Sequence, residues 1–477
     1  MLAASIARRS GNPFVHGAKK LCMTHEIVSS CFFQSVTDVS RPVVCTPSIP
    51  PVRTGYAPAP HTVRASPVSR SNELRTLNRH RVLRMLRRLG PCSRHAIGQA
   101  TDLSAAAISS YAAELVAEGV VGTQRTAGSR GRPQSTLSLS AGAASAITLS
   151  LTIDRLIARL IDNAGTTHAT LQRDLDTRTL NAAELVDEVL RAIDTLAAHP
   201  CAIRLRQVSI GFQGVVAHAR GALVWSPILS VGNVPLGEAI ERHSGLAVSV
   251  HNDCRLMAAA LHADHGERLG AHFATVLFSH GVGLALTLDG EPFDGAINSA
   301  LEFGHLTHVP GGAPCRCGRA GCIEAYAADY AIVRAVGGAS DASGATALEA
   351  AGRVSNASLE RAAVQAARGD PSARRAFAQA GTAIGTGLDQ LFLLVGTMPV
   401  ALVGRSRTAL EAMRPSLLDA VHAVASPHEP VRTVQVITFP DDDVLFQQGL
   451  TLDALTALDR QLASAPANAT DARTCIP

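Results

Sequence analysis

The chain has 477 residues, of which 47% are hydrophobic and 17% charged, a composition typical of a globular α/β protein with two or three domains. No apolar run is long enough to span a bilayer, and the longest, 391–404, contains Pro399 and predicts buried core. Seven of the ten cysteines are scattered singly, and no apolar segment of signal-peptide type precedes a cleavage site. We therefore expect a reducing, cytoplasmic location and no membrane partner.

The net charge of +4 is unevenly distributed along the chain. Residues 1–72 carry eight basic and two acidic side chains, residues 73–140 carry ten and four, and the remainder carries 25 and 33. A basic N-terminal part followed by an acidic rest of the chain favours a polyanion-binding module joined to a second module with another role. A basic tail without a binding partner explains the charge distribution equally well. Residues 1–72 are rich in Pro, Ser and Arg without periodicity and predict a disordered extension.

Residues 73–140 have the pattern of a winged helix-turn-helix. A first helix ends at Gly90-Pro91, a second begins at an N-capping Ser93, and a third begins at an N-capping Ser104. The side chains expected to face inward are Val82, Leu83, Leu86, Leu89, Ile97, Ala100, Ile108, Leu115 and Val116. A strand, a Gly/Arg-rich turn and an alternating strand follow, as in a winged hairpin.

This segment predicts a double-stranded operator DNA partner. The residues expected to contact DNA are Ser104, Ser109, Ser110, Arg125, Arg130 and Arg132. A small three-helix bundle without a nucleic-acid role is the alternative, and the basic excess and the arginines of the wing argue against it. Because one winged helix offers few base contacts, we expect a homodimer or homotetramer on a roughly palindromic site.

From Ala144 onward, strands and helices alternate. The stretches 146–153, 156–162 and 168–175 predict strands, 181–199 predicts a helix, and further strands and helices continue to about 460. This order indicates an α/β module over 144–460, with mixed sheets flanked by helices. Residues 463–477 are rich in Ala, Pro, Asn and Thr and predict a disordered tail.

A cysteine cluster interrupts the α/β pattern. Cys315-x-Cys317-x4-Cys322, with His305 ten positions earlier, supplies three thiolates and an imidazole, a set suited to tetrahedral Zn²⁺. Four protein ligands leave no open position, so the expected zinc is structural. His308 could replace His305 in a looser geometry, and a redox-active C-x-C pair is the alternative to a metal site.

The stretch Glu302-Phe-Gly-His305 … Cys315-Arg-Cys-Gly-Arg-Ala-Gly-Cys322-Ile-Glu324 closely resembles the signature of the ROK family of repressors and sugar kinases. The resemblance covers roughly 73–460 and implies a winged helix-turn-helix in front of a two-lobed, actin-like (ribonuclease H-like) sugar-kinase fold. It implies that the zinc ligands are His305, Cys315, Cys317 and Cys322. It also implies that a monosaccharide or amino sugar contacts Gly214, Asn252, Asp253, Glu302, His305 and Glu324.

The phosphate-binding loops of the family's kinases are altered in this chain. Where those kinases carry D-x-G-G-T, this sequence has Ser150-Leu-Thr-Ile-Asp154, which lacks the first acid and both glycines. Side chains at Thr152 and Ile153 would block the approach of a phosphate. The sequence thus predicts a sugar-responsive transcriptional regulator, a repressor of carbohydrate genes, that is not an enzyme. The alternatives are an active sugar kinase with a DNA-binding appendage and a protein-binding scaffold with a vestigial cleft.

Overall fold

Three helices and a small sheet come first in the chain. The computed structural model describes residues 67–126, 134–217, 221–295, 301–337, 354–422 and 433–464, with the backbone alone at 67–71, 125, 126 and 134. The first helices are α1 (Pro67–Leu89), α2 (Arg94–Ala100) and α3 (Ala105–Ala117). The sheet has the order β1-β3-β2, with β1 at Cys92–Ser93, β2 at Val121–Thr126 and β3 at Gln134–Leu139.

Serine caps fix the starts of two of these helices, as the sequence predicts. Ser93 Oγ accepts the N–H of Ala96 at 3.2 Å, and Ser104 Oγ accepts the N–H of Ala107 at 3.2 Å. The helices enclose a core of apolar side chains, namely Val82, Leu83, Leu86, Ile97, Ile108, Ala112 and Leu115. The prediction is wrong for Leu89 and Ala100, which are exposed because each is the last residue of its helix and points past the core.

The first lobe is built on a five-stranded sheet of order β10-β7-β4-β5-β6. Strands β4 (Ser145–Leu151), β5 (Arg155–Asp162) and β6 (Thr167–Asp174) form antiparallel hairpins, and β7 (Leu205–Phe212) and β10 (Ala247–Asn252) extend the sheet in parallel. Helices α4 (Ala182–Ala197) and α5 (Leu236–Ser244) cover one face. A small ladder pairs β8 (Val215–Ala217) with β9 (Ala222–Trp225).

The second lobe has its own five-stranded sheet, of order β13-β12-β11-β14-β15. Its strands are β11 (Phe273–Phe278), β12 (Val282–Leu288), β13 (Glu291–Pro292), β14 (Val400–Gly404) and β15 (Val436–Phe439). Its helices are α6 (Asp253–Leu269), α7 (Glu324–Ala327), α8 (Asp329–Val336), α9 (Asn356–Ala367), α10 (Pro371–Val395) and α11 (Arg407–His422). Gly381 lets α10 approach α11 closely, because a Cβ there would lie 2.2 Å from the Met413 carbonyl oxygen.

The final helix, α12 (Asp442–Ser464), packs on the sheet of the first lobe, on α6 and on α1. Ala454, Leu455, Leu458, Leu462 and Ala463 of α12 belong to the same apolar cluster as the core of the three N-terminal helices. The N-terminal helices are therefore packed against the two-lobed part of the chain. None of the described helices is both long and apolar enough to cross a membrane.

Two predicted boundaries change. Residues 67–72 belong to α1 rather than to a disordered extension, since a proline is tolerated at the first turn of a helix. The predicted tail starts too early, because Ala463 is buried in the cluster shared with the N-terminal helices and α12 continues to Ser464. The expectations for 1–66 and 465–477 lie outside the described residues.

Candidate functional site

The loop before α7 brings the predicted ligand set together. One ligand atom each from His305, Cys315, Cys317 and Cys322 lies within 4.8 Å of all the others. The distance from His305 Nδ1 to Cys315 Sγ is 3.6 Å, and that from Cys317 Sγ to Cys322 Sγ is 3.7 Å. A tetrahedron with bonds of about 2.0–2.3 Å has edges of roughly 3.3–3.8 Å, so these spacings fit a zinc ion.

The structure favours His305 over His308 as the fourth ligand. His308 lies outside the group and packs edge-on against Tyr326, with ring centroids 5.3 Å apart. His305 is buried, and burial together with the nearby charge of Arg319 lowers its pKa, which favours the neutral imidazole that metal binding requires.

The two carboxylates beside this loop differ in environment. Glu324 is only 3% exposed, its Oε2 accepts the N–H of Val282 at 3.4 Å, and burial raises its pKa to about 7. The side chain of Glu302 is half exposed, with its Oε2 3.7 Å from His305 Nε2. The structure thus places both predicted sugar-binding glutamates next to the Cys/His cluster.

The first lobe contributes the predicted residues at the end of β10. Asn252 caps α6: its Oδ1 accepts the N–H groups of Cys254 at 2.9 Å and Arg255 at 3.3 Å, and its Nδ2 donates to the Gly214 carbonyl at 2.8 Å. The amide oxygen and one amide N–H of Asn252 are therefore used within the protein, and the second amide N–H is left for a ligand. Gly214 has φ +139°, and a Cβ there would lie 2.3 Å from the Trp225 carbonyl oxygen.

Asp253 is the buried acid of the first-lobe side. It is 7% exposed, and its Oδ1 accepts the N–H of Cys254 at 2.8 Å. Burial, reinforced by the charge of Asp442, raises the pKa of Asp253 to about 7. Such a group suits a hydrogen bond with a sugar hydroxyl in either protonation state.

Residues of the two lobes lie close together beside the Cys/His cluster. The ring of Trp225 lies edge-on to His305, with centroids 5.7 Å apart. A Cβ at Gly281 would lie 2.8 Å from Glu324 Oε2 and 3.4 Å from Gln213 Nε2, so Gln213 and Glu324 are neighbours across the cleft. Sequence reasoning missed Gln213 and Trp225, although Gln213 lies inside the predicted glycine turn and Trp225 is the only tryptophan of the chain.

The side chains of the altered loop at 150–154 bond to their neighbours or pack in the core. Ser150 Oγ accepts a hydrogen bond from Gln447 at 2.6 Å, Thr152 Oγ1 donates to Asp154 at 2.9 Å, and Ile153 is buried in the core of the first lobe. Opposite them, the guanidinium of Arg405 contacts Asp442 at 3.0 Å, and His280 Nδ1 lies 2.7 Å from Asp329 Oδ2. Sequence reasoning missed both of these contacts.

The predicted DNA-contacting residues are placed only in part. Ser109 and Ser110 are exposed on α3, whereas the Oγ of Ser104 is engaged as an N-cap. Arg130, Arg132 and the side chain of Arg125 lie outside the described residues.

Comparison with known proteins identifies the family. A sequence model of the ROK family matches residues 149–443, more than half of the chain. The chain belongs to the ROK family. A solved ROK transcriptional regulator, described as a homologue of the Escherichia coli Mlc protein, covers 82% of this chain and 98% of its own at 24% identity and a TM-score of 0.65, which confirms the predicted fold.

Curated ROK relatives include both regulators and kinases. The DNA-binding transcriptional repressor Mlc of Escherichia coli K12 is 26% identical over 267 residues, which are 55% of this chain and 65% of Mlc. A glucokinase of Streptomyces coelicolor is 32% identical over 127 residues, which are 27% of this chain and 40% of that enzyme. The matches thus span less than two thirds of the length of both relatives.

Proposed function

We propose that this ROK protein is a sugar-responsive DNA-binding transcriptional regulator, a repressor of carbohydrate uptake or metabolism genes, without kinase activity. The observation that carries the proposal is the pairing of three N-terminal helices, two of them serine-capped, and a hairpin with a cleft in which Thr152 and Ile153 stand where the family's kinases have the two glycines of their first phosphate-binding loop. The relative named as the repressor Mlc supports the same reading.

The DNA-binding unit in this proposal corresponds to residues 73–140, with α1 extended back to Pro67. Exposed Ser109 and Ser110 on α3 would face the major groove, and the wing arginines Arg125, Arg130 and Arg132 would contact the backbone or minor groove. A homodimer or homotetramer would present two such units to an operator with two half-sites.

A structural zinc ion would be held by His305, Cys315, Cys317 and Cys322. The spacing of their ligand atoms supports this assignment, and four protein ligands leave no position for a substrate. The ion would fix the loop between Glu302 and Glu324, so both carboxylates would be oriented before a sugar arrives.

The absence of kinase activity is supported by the cleft itself. Phosphoryl transfer requires backbone N–H groups and Mg²⁺ around the triphosphate. Here Thr152 and Ile153 replace the two glycines of the first loop, with Thr152 bonded to Asp154 and Ile153 packed in the core of the first lobe. The carboxylates of Asp442 and Asp443 stand beside Arg405. Asp253 would then hydrogen-bond a sugar hydroxyl with no phosphate to transfer to it.

The test combines DNA and sugar binding. Operator fragments are selected from a randomised DNA pool with the full chain, and their affinity is measured with and without each sugar of a panel. A sugar that changes operator affinity about tenfold needs only about 1.4 kcal/mol of coupling, within the usual range. Asp253→Asn and Glu324→Gln should abolish the response and leave sugar-free operator binding unchanged.

Three outcomes contradict the proposal. ATP-dependent phosphorylation of any sugar at a rate typical of kinases would make the protein an enzyme. Failure to select any DNA fragment would contradict the role as a DNA-binding regulator. If Asp253→Asn and Glu324→Gln both respond to sugar as the parent does, the cleft is not the sugar sensor, and the alternative of a protein-binding scaffold is favoured.

A further inference from the structure

A small cavity of the cleft begins at Asp253 and continues toward the start of α12. Its polar lining includes Thr152, Asp253, Ser279, His280, Arg405 and Asp442. Because Asp253 forms one wall, a substituent on the sugar hydroxyl that meets this acid would enter the same cavity. The charges of the lining therefore decide which substituents are accepted.

The guanidinium and the imidazole of this lining are each already held by a carboxylate. Arg405 Nε donates to Asp442 Oδ2 at 3.0 Å, and Arg405 Nη2 lies 3.7 Å from Asp443 Oδ1. His280 Nδ1 lies 2.7 Å from Asp329 Oδ2. The side chains of Arg405, Asp442, His280 and Asp329 are at least four fifths buried, so these contacts are weakly screened by water and salt.

The remaining charge of the cavity is negative. Asp253 has no ion-pair partner among the residues that the structure describes, and Asp443 is reached only by a guanidinium that Asp442 already binds. Burial, and after it the charge of Asp442, raises the pKa of Asp253. An incoming phosphate dianion would meet these carboxylates at short range, whereas a hydroxyl or an ammonium group would not be repelled.

We propose that the cleft selects an unphosphorylated sugar, neutral or amine-bearing, and rejects the same sugar phosphorylated at the hydroxyl facing Asp253. Asp442 is the specificity-determining residue, because it neutralises Arg405, the guanidinium among the described residues that line the cavity. The inference rests on the proposed function, since it concerns the ligand of the same cleft.

Calorimetric titration of the full-length chain at pH 8 tests this selectivity. The probes are glucose, N-acetylglucosamine and glucosamine, each compared with its 6-phosphate. We expect at least one free sugar to bind and its 6-phosphate to bind at least about tenfold more weakly. Asp442→Asn keeps the shape of the side chain but releases Arg405, so affinity for the 6-phosphate should rise by about tenfold or more. Asp441→Asn, on the exposed neighbour, should change neither affinity.

If a 6-phosphate binds the parent protein as tightly as its free sugar does, the proposed selectivity is overturned. The proposal that the cleft is the sugar sensor would still stand. An Asp442→Asn variant with parental circular dichroism and no gain for the phosphate would overturn the role of Asp442. If that variant fails to fold, Asp443→Asn at the exposed end of the pair should still give a smaller gain, and no gain there would count against the proposal equally. If neither the free sugars nor their 6-phosphates bind, the proposal that the cleft senses a sugar is contradicted, and the proposed selectivity is contradicted as well.

Discussion

Asp253 shows how burial of a single side chain links the cleft to stability. Its pKa is about 7 in the folded protein and near the ordinary value of 3.8 in the unfolded chain. Between these values the folded state binds more protons than the unfolded state, so the free energy of unfolding falls as the pH rises from about 4 to about 7. Above pH 7 the full penalty of a buried carboxylate is present.

Replacing this acid should therefore stabilise the protein in a pH-dependent manner. Asp253→Asn removes the buried charge, and we expect it to raise the free energy of unfolding by about 2 kcal/mol more at pH 8 than at pH 5.5. Urea unfolding at the two pH values measures the difference. Asp441→Asn is the exposed control and should show no such trend. An equal gain at both pH values would mean that the pKa of Asp253 is not raised.

Cys317 tests the metal proposal at one residue. With zinc bound, elemental analysis of the purified chain should give about one ion per protomer, and Cys317→Ser should lower both this ratio and the thermal stability. Sugar affinity should fall with them, because the loop carrying Glu302 and Glu324 loses its anchor. Cys201→Ser, outside the cluster, is the control. A parent purified without chelator that contains no zinc contradicts the assignment.

At the scale of elements, local patterns predicted much of the fold. The signals for the caps at Ser93 and Ser104 lie in neighbouring residues, and so does the alternation of polar and apolar residues that predicts β4 and β5. These elements could therefore be recognised without knowledge of tertiary contacts. The end of α12 was missed because Leu462 and Ala463 pack against residues distant in sequence. The start of α1 was missed because a proline at the first turn of a helix looks like a helix breaker when only the local sequence is considered. Likewise, the Arg405–Asp442 pair joins two elements and has no local signature.

Helix α12 lies on the first-lobe sheet through an unusually polar contact. Asp453 accepts hydrogen bonds from Ser209 at 2.8 Å and Ser249 at 2.6 Å and lies 2.9 Å from His251 Nε2. Burial acts to raise the pKa of Asp453, but the nearby His251 and the hydrogen bonds from the two serines lower it. Since His251 directly precedes Asn252, the helix is fastened to the strand that carries the cleft residues.

Removal of this carboxylate should loosen α12. Asp453→Ala removes the carboxylate that accepts from Ser209 and Ser249 and lies beside His251, and we expect a loss of about 3–5 kcal/mol in the free energy of unfolding near pH 7. Asp453→Asn, which keeps an acceptor, should lose less. Asp264→Asn, at an exposed position of α6, serves as the control for urea titrations. A loss below about 1 kcal/mol for the alanine variant would mean that the polar contact does not hold the helix.

At the scale of the whole molecule, α12 connects the cleft to the N-terminal helices. Its first residue, Asp442, lies in the cleft, and near its other end Asp459 contacts Arg87 of α1 at 2.7 Å. The Leu462 carbonyl accepts a hydrogen bond from Arg79 at 3.1 Å. A helix of 23 residues is about 34 Å long, so a displacement at the cleft would reach α1 through one rigid element.

The buried pair of Arg87 and Asp459 is therefore the place to break this connection. Asp459 is 2% exposed, and Arg87 also donates to the Asn163 carbonyl at 2.9 Å, so the pair ties α1 to both α12 and the first lobe. We expect Asp459→Asn to leave sugar binding in the cleft intact but to reduce the sugar's effect on operator affinity from about tenfold to about threefold or less, a loss of at least about 0.7 kcal/mol of coupling.

Glu291→Gln is the matched control, because its pair with Arg84 also joins α1 to the second lobe but is solvent-exposed and should contribute little. Calorimetry gives the sugar affinity and fluorescence anisotropy with labelled operator gives the response. If Asp459→Asn responds to sugar as the parent does, the signal reaches the DNA-binding helices by another route.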